Sequence, residues 1–145
     1  AIGGAMAATF YLEPVLTFDL DIFVVLPESA GGLLTLAPLY QALRARGYTA
    51  DGDCVMIEGV PVQFLPAFNP LLEEALEEAR DVTYGATPTR VLRIEHLAAI
   101  AVQTGRAKDR QRATLFADGA EMDQSLLKGI LERHGLEAKW AAWMG

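Results

Sequence analysis

Two aspartates lie two residues apart inside an apolar segment. Asp19 and Asp21 interrupt the stretch 17–26, whose β-branched and aromatic residues predict a strand. Side chains two apart on a strand share a face, so we expect both carboxylates on one side, with Leu20 and Ile22 in the core. Like charges this close repel unless a cation lies between them, and Mg²⁺ commonly takes one or two carboxylates plus substrate phosphates. The pair therefore predicts a divalent-metal site; the alternative is an edge strand with two solvated acids.

A glycine pair precedes that strand. Gly3 and Gly4 predict a strand that breaks into a short helix, which ends near Glu13 and Pro14. Glycine lets backbone N–H groups approach a ligand closely, and a helix N-terminus favours an anion. A glycine pair alone is more often a tight turn. Followed by the aspartate strand, it favours a site where a metal offsets phosphate charge and aligns an attacking hydroxyl.

The predicted elements that position these residues are strands and helices in the first part of the chain and helices alone in the last part. This order predicts an α+β fold with a short mixed sheet flanked by helices and a helical C-terminal portion. We expect a single domain, with a core over 1–94, whose start looks truncated, and a helical part over 95–145 packed on it. The predicted segments are a loop at 28–32, a helix around 36–43, strands at 54–58, 60–65 and 89–94, and helices from 70 and at 95–103, 108–117 and 123–134. Gly59 predicts a hairpin between the two strands it separates, and Asn69 and Pro70 predict the N-cap and the first position of the helix that follows them.

Composition narrows the class of protein. Apolar residues make up 52% of the 145, and the net charge is −7, which disfavours broad non-specific binding to a phosphate backbone. No apolar run reaches the length of a membrane span, so we expect no membrane partner. The single Cys54 excludes an intramolecular disulfide and fits a cytoplasmic location. These features indicate a globular acidic protein.

The order of the motifs resembles the minimal nucleotidyltransferases of the polymerase β superfamily, most closely the abortive-infection (AbiEii-like) toxin branch. Segments 2–7 and 17–23 are similar to that branch's Gly-Gly or Gly-Ser turn and Thr-x-Asp-hydrophobic-Asp strand. Downstream, 90–97 and 104–109 are similar to its Glu and Lys-Asp stretches. The likeness extends over about 2–135, and the order and spacing of its parts are more specific than any one part.

The resemblance implies a role for each matching residue. Asp19 and Asp21 would bind the catalytic Mg²⁺ or Mn²⁺, and Gly3 and Gly4 would hold the phosphates of an NTP. Lys108 would lie near the triphosphate and bind it, or stabilise the fold around it. The implied reaction transfers a nucleoside monophosphate to a hydroxyl of RNA or protein and releases pyrophosphate. The branch also implies a toxin–antitoxin component with an antitoxin partner. Trp140 and Trp143, near the end of the chain, are expected to pack onto the domain or onto a partner such as a second copy, so a homodimer stays open.

Secondary roles follow from the same resemblance. Asp109 would accompany Lys108, and Glu95 would cap or orient the helix that carries them. Two positions depart from the family: Gln63 stands where a third acid is expected, and Arg112 where another acid often follows. Gln is a weaker Mg²⁺ ligand than carboxylate and accepts no proton at neutral pH.

Two functions therefore stay open at this point. One is an active transferase, with Glu58 as the nearby substitute for the missing acid. The other is a catalytically degenerate member that acts as a nucleotide-binding or regulatory interaction module. A structural role for both acids in a small scaffold is a weaker third alternative.

The basic residues cluster in one place. Arg106, Lys108, Arg110 and Arg112 predict either a phosphate or RNA contact or a helix start paired with nearby acids. Other chemistry-bearing residues are predicted to be structural: His96, His134 and Cys54. The Glu73, Glu74, Glu77 and Glu78 run predicts a solvated helix face.

Overall fold

The aspartate strand belongs to a four-stranded mixed sheet. The computed structural model describes residues 1–12, 19–26, 35–119 and 121–145. Strand β1 (Leu20–Val24) pairs in parallel with β4 (Val60–Pro66), which continues antiparallel to β3 (Cys54–Ile57) and then β2 (Ala50–Asp51). The mixed sheet and the α+β class are as predicted. The predicted loop at 28–32 and the start of the strand predicted from 17 lie outside the described residues.

The chain start runs along the other side of β1. Ile2 bridges antiparallel to Ile22 and parallel to Val91, so it links β1 to a second, two-stranded sheet. Helix α1 (Gly4–Ala8) then begins at the glycine pair, as predicted. It ends at Ala8, earlier than predicted, and turns continue to Leu12. Glu13 and Pro14 lie outside the described residues.

The second sheet is a hairpin that the sequence predicted only in part. Strands β5 (Arg80–Tyr84) and β6 (Thr87–Val91) pair antiparallel around Gly85, whereas the predicted strand covered 89–94 alone. The first strand escaped prediction because its residues are mostly exposed and polar, with no apolar alternation to mark it.

Within the described ranges the chain forms seven helices. Asn69 caps one of them by accepting from the Leu72 N–H at 2.9 Å, and Pro70 takes its first position, as predicted. Among the described helices, none is long and apolar enough to cross a membrane. The six that follow α1 are α2 (Ala37–Ala45), α3 (Pro70–Glu77), α4 (Ile94–Thr104), α5 (Ala107–Gly119), α6 (Gln124–Arg133) and α7 (Glu137–Met144).

The hydrophobic core lies on the aspartate side of β1. Phe23, two residues beyond Asp21, packs against a core built mainly from α3, α4 and α6. Leu20 and Ile22, predicted to be the core residues of this strand, are only half-buried and lie outside that core. The prediction was wrong because the start of α1 packs on the face that carries Asp21, where Gly4 lies against the carboxylate, so the carboxylates border the core instead of facing away from it.

Glu74, one of the four glutamates predicted to form a solvated helix face, contacts residues of two other helices. Glu74 on α3 accepts from Arg133 Nη2 at 2.6 Å and lies 2.7 Å from His134 Nε2, both on or beside α6. Its Oε1 is also 3.3 Å from Nε2 of His96 on α4. The neighbours Glu73, Glu77 and Glu78 are exposed, as predicted. Glu74 therefore joins three helices, which the apolar pattern of α3 alone does not reveal.

Candidate functional site

The residues singled out in the sequence meet in one cavity. A cavity of about 490 Å³ lies between the aspartate strand, the start of α1 and the α4–α5 junction. Its lining includes Gly4, Asp19, Asp21 and Lys108. Residues that are distant in the chain thus line one cavity, as a shared site requires. Gly3 is buried and is next in the chain to the lining residue Gly4.

The two carboxylates enter this cavity from one strand. Asp19 is exposed immediately before β1, and Asp21 is half-buried within it. Burial raises the pKa of Asp21 above its ordinary value, and the charge of Asp19 raises it further. The cations Arg112, Lys108 and Arg106 act in the opposite direction but do not reverse the rise. Asp21 is therefore an acid whose charged form is under-stabilised and would gain from a bound cation.

The glycine pair packs closely alongside this strand. The Gly3 N–H donates to the Asp21 carbonyl oxygen at 2.9 Å. Gly4 has φ +59°, which side-chain-bearing residues rarely adopt, and a Cβ there would overlap the Asp21 carboxylate. A Cβ on Gly3 would overlap the Phe23 ring. Both positions thus require glycine for close packing against the carboxylate strand, whether or not they also hold phosphate.

The basic cluster divides into two parts. Lys108 and Arg112 are four apart on α5, hence on one face, and both line the cavity. Arg106 also lines it but is paired with Asp109, through Nε to Oδ2 at 2.7 Å and Nη2 to Oδ1 at 3.2 Å. The predicted pairing of a helix start with a nearby acid is present at Arg106, and the phosphate or RNA contact stays a prediction for Lys108 and Arg112.

Asp109 closes the start of α5. Its carboxylate is 2% exposed and also accepts from the Arg106 backbone N–H at 3.2 Å. The hydrogen bond to Asp109 raises the pKa of Arg106. This paired turn fixes where α5 begins and so positions Lys108 and Arg112 at the cavity.

Glu95 orients a different helix from the one expected. It is buried, and its Oε1 accepts from the backbone N–H of Asp123 at 2.8 Å, immediately before α6. Asp123 in turn caps α6 by accepting from the Ser125 and Leu126 N–H groups. The resemblance implied that Glu95 orients the helix carrying Lys108; in the structure its contact is with the start of α6.

Gln63 stands beside the carboxylates. The parallel register places it directly opposite Asp21, and it lines the cavity. Glu58, the sequence's substitute for a third acid, is exposed at the β3–β4 turn and accepts from Tyr48 Oη at 2.6 Å. Glu58 is not part of the described cavity lining, so its substitution for Gln63 has no support in this arrangement.

Part of the cavity lining is apolar, a feature that no sequence pattern predicted. Phe68, Leu97 and Ile100 belong to this part, and Gln103 lines the same cavity. Phe68 is 72% exposed. An aromatic residue after a strand is common in packing, so only the fold shows that this one borders a polar site.

The two carboxylates suit a hard cation whose remaining ligands come from a bound molecule and water. In the described parts of the chain, no group of three or more His, Cys, Asp or Glu side chains is arranged to hold a metal ion. Asp19 and Asp21 supply two carboxylates, which is the number Mg²⁺ commonly takes from protein when phosphates and water complete its shell. The raised pKa of Asp21 agrees with a site that favours added positive charge.

No protein-family model and no curated protein sequence matches the chain.

Proposed function

We propose that this protein has a nucleotidyltransferase-like fold and binds a magnesium–nucleoside triphosphate in the cavity beside β1. The observation that carries the proposal is the meeting of Asp19 and Asp21 with Lys108 and Arg112 in one cavity. Carboxylates attract a divalent cation, and the cations attract phosphate oxygens, so a metal–polyphosphate complex complements both.

The proposed reaction is transfer of a nucleoside monophosphate to a hydroxyl group of RNA or protein. The acceptor oxygen bonds to the α-phosphorus, and the bond from that phosphorus to the pyrophosphate oxygen breaks. Because the Gln63 amide accepts no proton at neutral pH, the hydroxyl proton passes to water. Bound Mg²⁺ or Mn²⁺ would neutralise phosphate charge. Lys108 and Arg112 hold the polyphosphate and the departing pyrophosphate, so this chain contributes positioning and electrostatics.

Isothermal calorimetry of the intact chain tests the binding step. We expect heat from an NTP with Mg²⁺ or Mn²⁺, and none after Asp19→Ala/Asp21→Ala. The matched control is Asp51→Ala/Asp118→Ala, which removes the same charge from two exposed positions outside this cavity. Equal heats from the aspartate variant and the control would overturn the metal site.

One observation favours a second candidate function. Gln63 lies opposite Asp21, where a third carboxylate would complete a general-base site. A nucleotide-binding or regulatory interaction module needs the metal and phosphate contacts but no base, and the observed residues suffice for that.

Label transfer separates the two functions. The chain is incubated with α-³²P-labelled NTPs, Mg²⁺, and either total RNA or lysate protein. Label in acid-insoluble RNA or protein, lost in Asp19→Ala/Asp21→Ala, supports the transferase. Intact nucleotide binding without any transfer supports the module. As the toxin half of a pair, an active protein would also arrest growth when expressed without its antitoxin.

A further inference from the structure

The lining of the cavity is of two chemical kinds. It contains the carboxylates and cations already described, and it also contains the apolar side chains of Phe68, Leu97 and Ile100. Along β4, Pro66 lies about 10 Å from Gln63, the residue opposite Asp21, and Phe68 follows two residues later. Phosphate binding does not require apolar contacts, so these residues can contact another part of a ligand.

Phe68 is poorly suited to be a core residue. It is 72% exposed, yet it borders the cavity and immediately precedes the cap of α3. An exposed ring that lines a cavity is available to a bound ligand. Aromatic faces of this kind stack nucleobases with little regard to base identity.

A chain of hydrogen bonds orients the amide of Gln103, which lines the same cavity as that ring. The Leu72 N–H donates to Asn69 Oδ1 at 2.9 Å, which leaves Asn69 Nδ2 as the donor of this amide. Asn69 Nδ2 donates to Gln103 Oε1, also at 2.9 Å. Since the oxygen of Gln103 faces Asn69, its Nε2 hydrogens are the part of the amide that a ligand can use. The backbone of α3 thereby determines that Gln103 offers a donor.

We propose that Phe68 and Gln103 form a nucleobase subsite, in which the ring stacks on the base and the Gln103 amide donates to a keto oxygen. This inference rests on the proposed function, because it assigns the base of the nucleotide whose phosphates meet Lys108 and Arg112. A fixed donor favours keto bases over their amino counterparts: guanine over adenine, and uracil over cytosine.

The stacking contact is tested by comparing nucleotides with a ligand that has no base. Calorimetry in Mg²⁺ is run with GTP, ATP, UTP, CTP and inorganic tripolyphosphate. We expect Phe68→Ala to lower the affinity for every nucleotide about tenfold and to leave the affinity for tripolyphosphate unchanged. Phe68→Trp, which keeps an aromatic ring, should bind nucleotides as the natural chain does. Leu115→Ala, at an exposed apolar residue outside the cavity, is the matched control. Equal nucleotide affinity in Phe68→Ala and the control would overturn the stacking role.

The amide contact is tested by the ratio of affinities for keto and amino bases. Gln103→Glu keeps the oxygen that Asn69 binds but replaces the donor with an acceptor, so we expect the GTP-to-ATP ratio to fall. Gln111→Glu, on the exposed surface of α5, adds the same charge and should leave the ratio unchanged. An unchanged ratio in Gln103→Glu would overturn the donor role.

Tripolyphosphate separates this inference from the proposed function. If tripolyphosphate binds the natural chain as tightly as every nucleotide does, the base subsite is wrong while the metal–phosphate site stands. If neither tripolyphosphate nor any nucleotide binds in Mg²⁺, the proposed function fails, and the subsite fails with it.

Discussion

At the residue scale, Asp21 is the most constrained position of the candidate site. It sits against Gly4, beside Asp19 and opposite Gln63, and burial raises its pKa. A carboxylate whose pKa is raised in the folded state makes its full contribution to stability below its unfolded pKa of 3.8, and that contribution is lost as the pH rises through the folded value. At neutral pH the unliganded protein therefore carries a charge that costs stability, as ligand sites commonly do.

Asp21→Asn should stabilise the unliganded protein and abolish its metal-dependent binding. The substitution keeps the shape of the side chain and removes the under-stabilised charge. We expect Tm at pH 7 to rise, by roughly 2–4 °C for each kcal/mol gained in a chain of this size. Differential scanning calorimetry measures this, with the exposed Asp118→Asn as the control. A lower Tm for Asp21→Asn than for the control would contradict the charge argument.

Gln63→Glu should increase nucleotidyl transfer. The new carboxylate would lie opposite Asp21 and could take the proton of the acceptor hydroxyl. General-base catalysis typically contributes 10²–10⁴-fold, so we expect a gain of at least about tenfold in labelled product. Gln41→Glu, at an exposed residue of α2, is the matched control. Transfer at the same rate in the variant and the natural chain would show that Gln63 is not the position that limits the chemistry.

At the element scale, α3, α4 and α6 are tied together through Glu74. Three donors surround its carboxylate, and the Arg133 hydrogen bond, helped by those of His134 and His96, outweighs burial and lowers the pKa of Glu74 to about 2. His96 is fully buried, and its Nδ1 has no hydrogen-bond partner among the described residues. Because α4 leads into the Arg106–Asp109 turn, this cluster supports the element that positions Lys108.

Glu74→Gln should destabilise the fold, whereas Glu77→Gln should not. Both positions are on α3, but Glu77 is exposed and Glu74 contacts two other helices. We expect a loss of about 1–2 kcal/mol for Glu74→Gln, allowing for the half-exposed Arg133, and a change within about 0.5 kcal/mol for Glu77→Gln. Urea unfolding followed by circular dichroism measures both values. Equal losses of unfolding free energy in the two variants would mean that the contacts of Glu74 with Arg133, His134 and His96 do not stabilise the fold.

Sequence patterns predicted the elements whose signals are local. The Asn69–Pro70 cap, the hairpin at Gly59 and the short helix at Gly4 depend on backbone preferences of a few residues, and all three are present. The role of Glu74 depends on Arg133 and His134, which are distant in the chain, whereas β5 pairs with the adjacent β6 but has exposed, polar residues without apolar alternation. The apolar periodicity of the sequence encodes neither feature.

At the scale of the whole molecule, the candidate site joins the sheet to the helical part. Asp19 and Asp21 come from the sheet side, Lys108 and Arg112 from α5. The order of motifs predicted this meeting, and a helix start paired with nearby acids was one of the two interpretations of the basic cluster, as the Arg106–Asp109 pair bears out. The presence of Phe68 in the cavity lining, by contrast, follows from tertiary packing and has no local signal in the sequence.

Stability should fall on acidification in two steps. Burial lowers the pKa of His96, so its contribution is present above its unfolded value of 6.5 and decreases as the pH falls below it. Glu74 adds a second decrease from pH 4.5 towards 2, since its folded pKa is lowered to about 2. Asp21 acts in the opposite direction, so the clearest measurement is the urea midpoint across pH 7 to 3 in an Asp21→Asn background. A midpoint that rises between pH 7 and 5 would contradict the account of His96.

The central claim is that Asp19 and Asp21 hold a divalent cation against a polyphosphate. Crystals grown with Mn²⁺ and a non-hydrolysable NTP analogue, with diffraction recorded at the manganese absorption edge, test it most directly. We expect an anomalous peak that places manganese within coordination distance of carboxylate oxygens of both residues and of phosphate oxygens, with the phosphates beside Lys108 and Arg112. An ordered nucleotide bound elsewhere, with no manganese at the two aspartates, would contradict it.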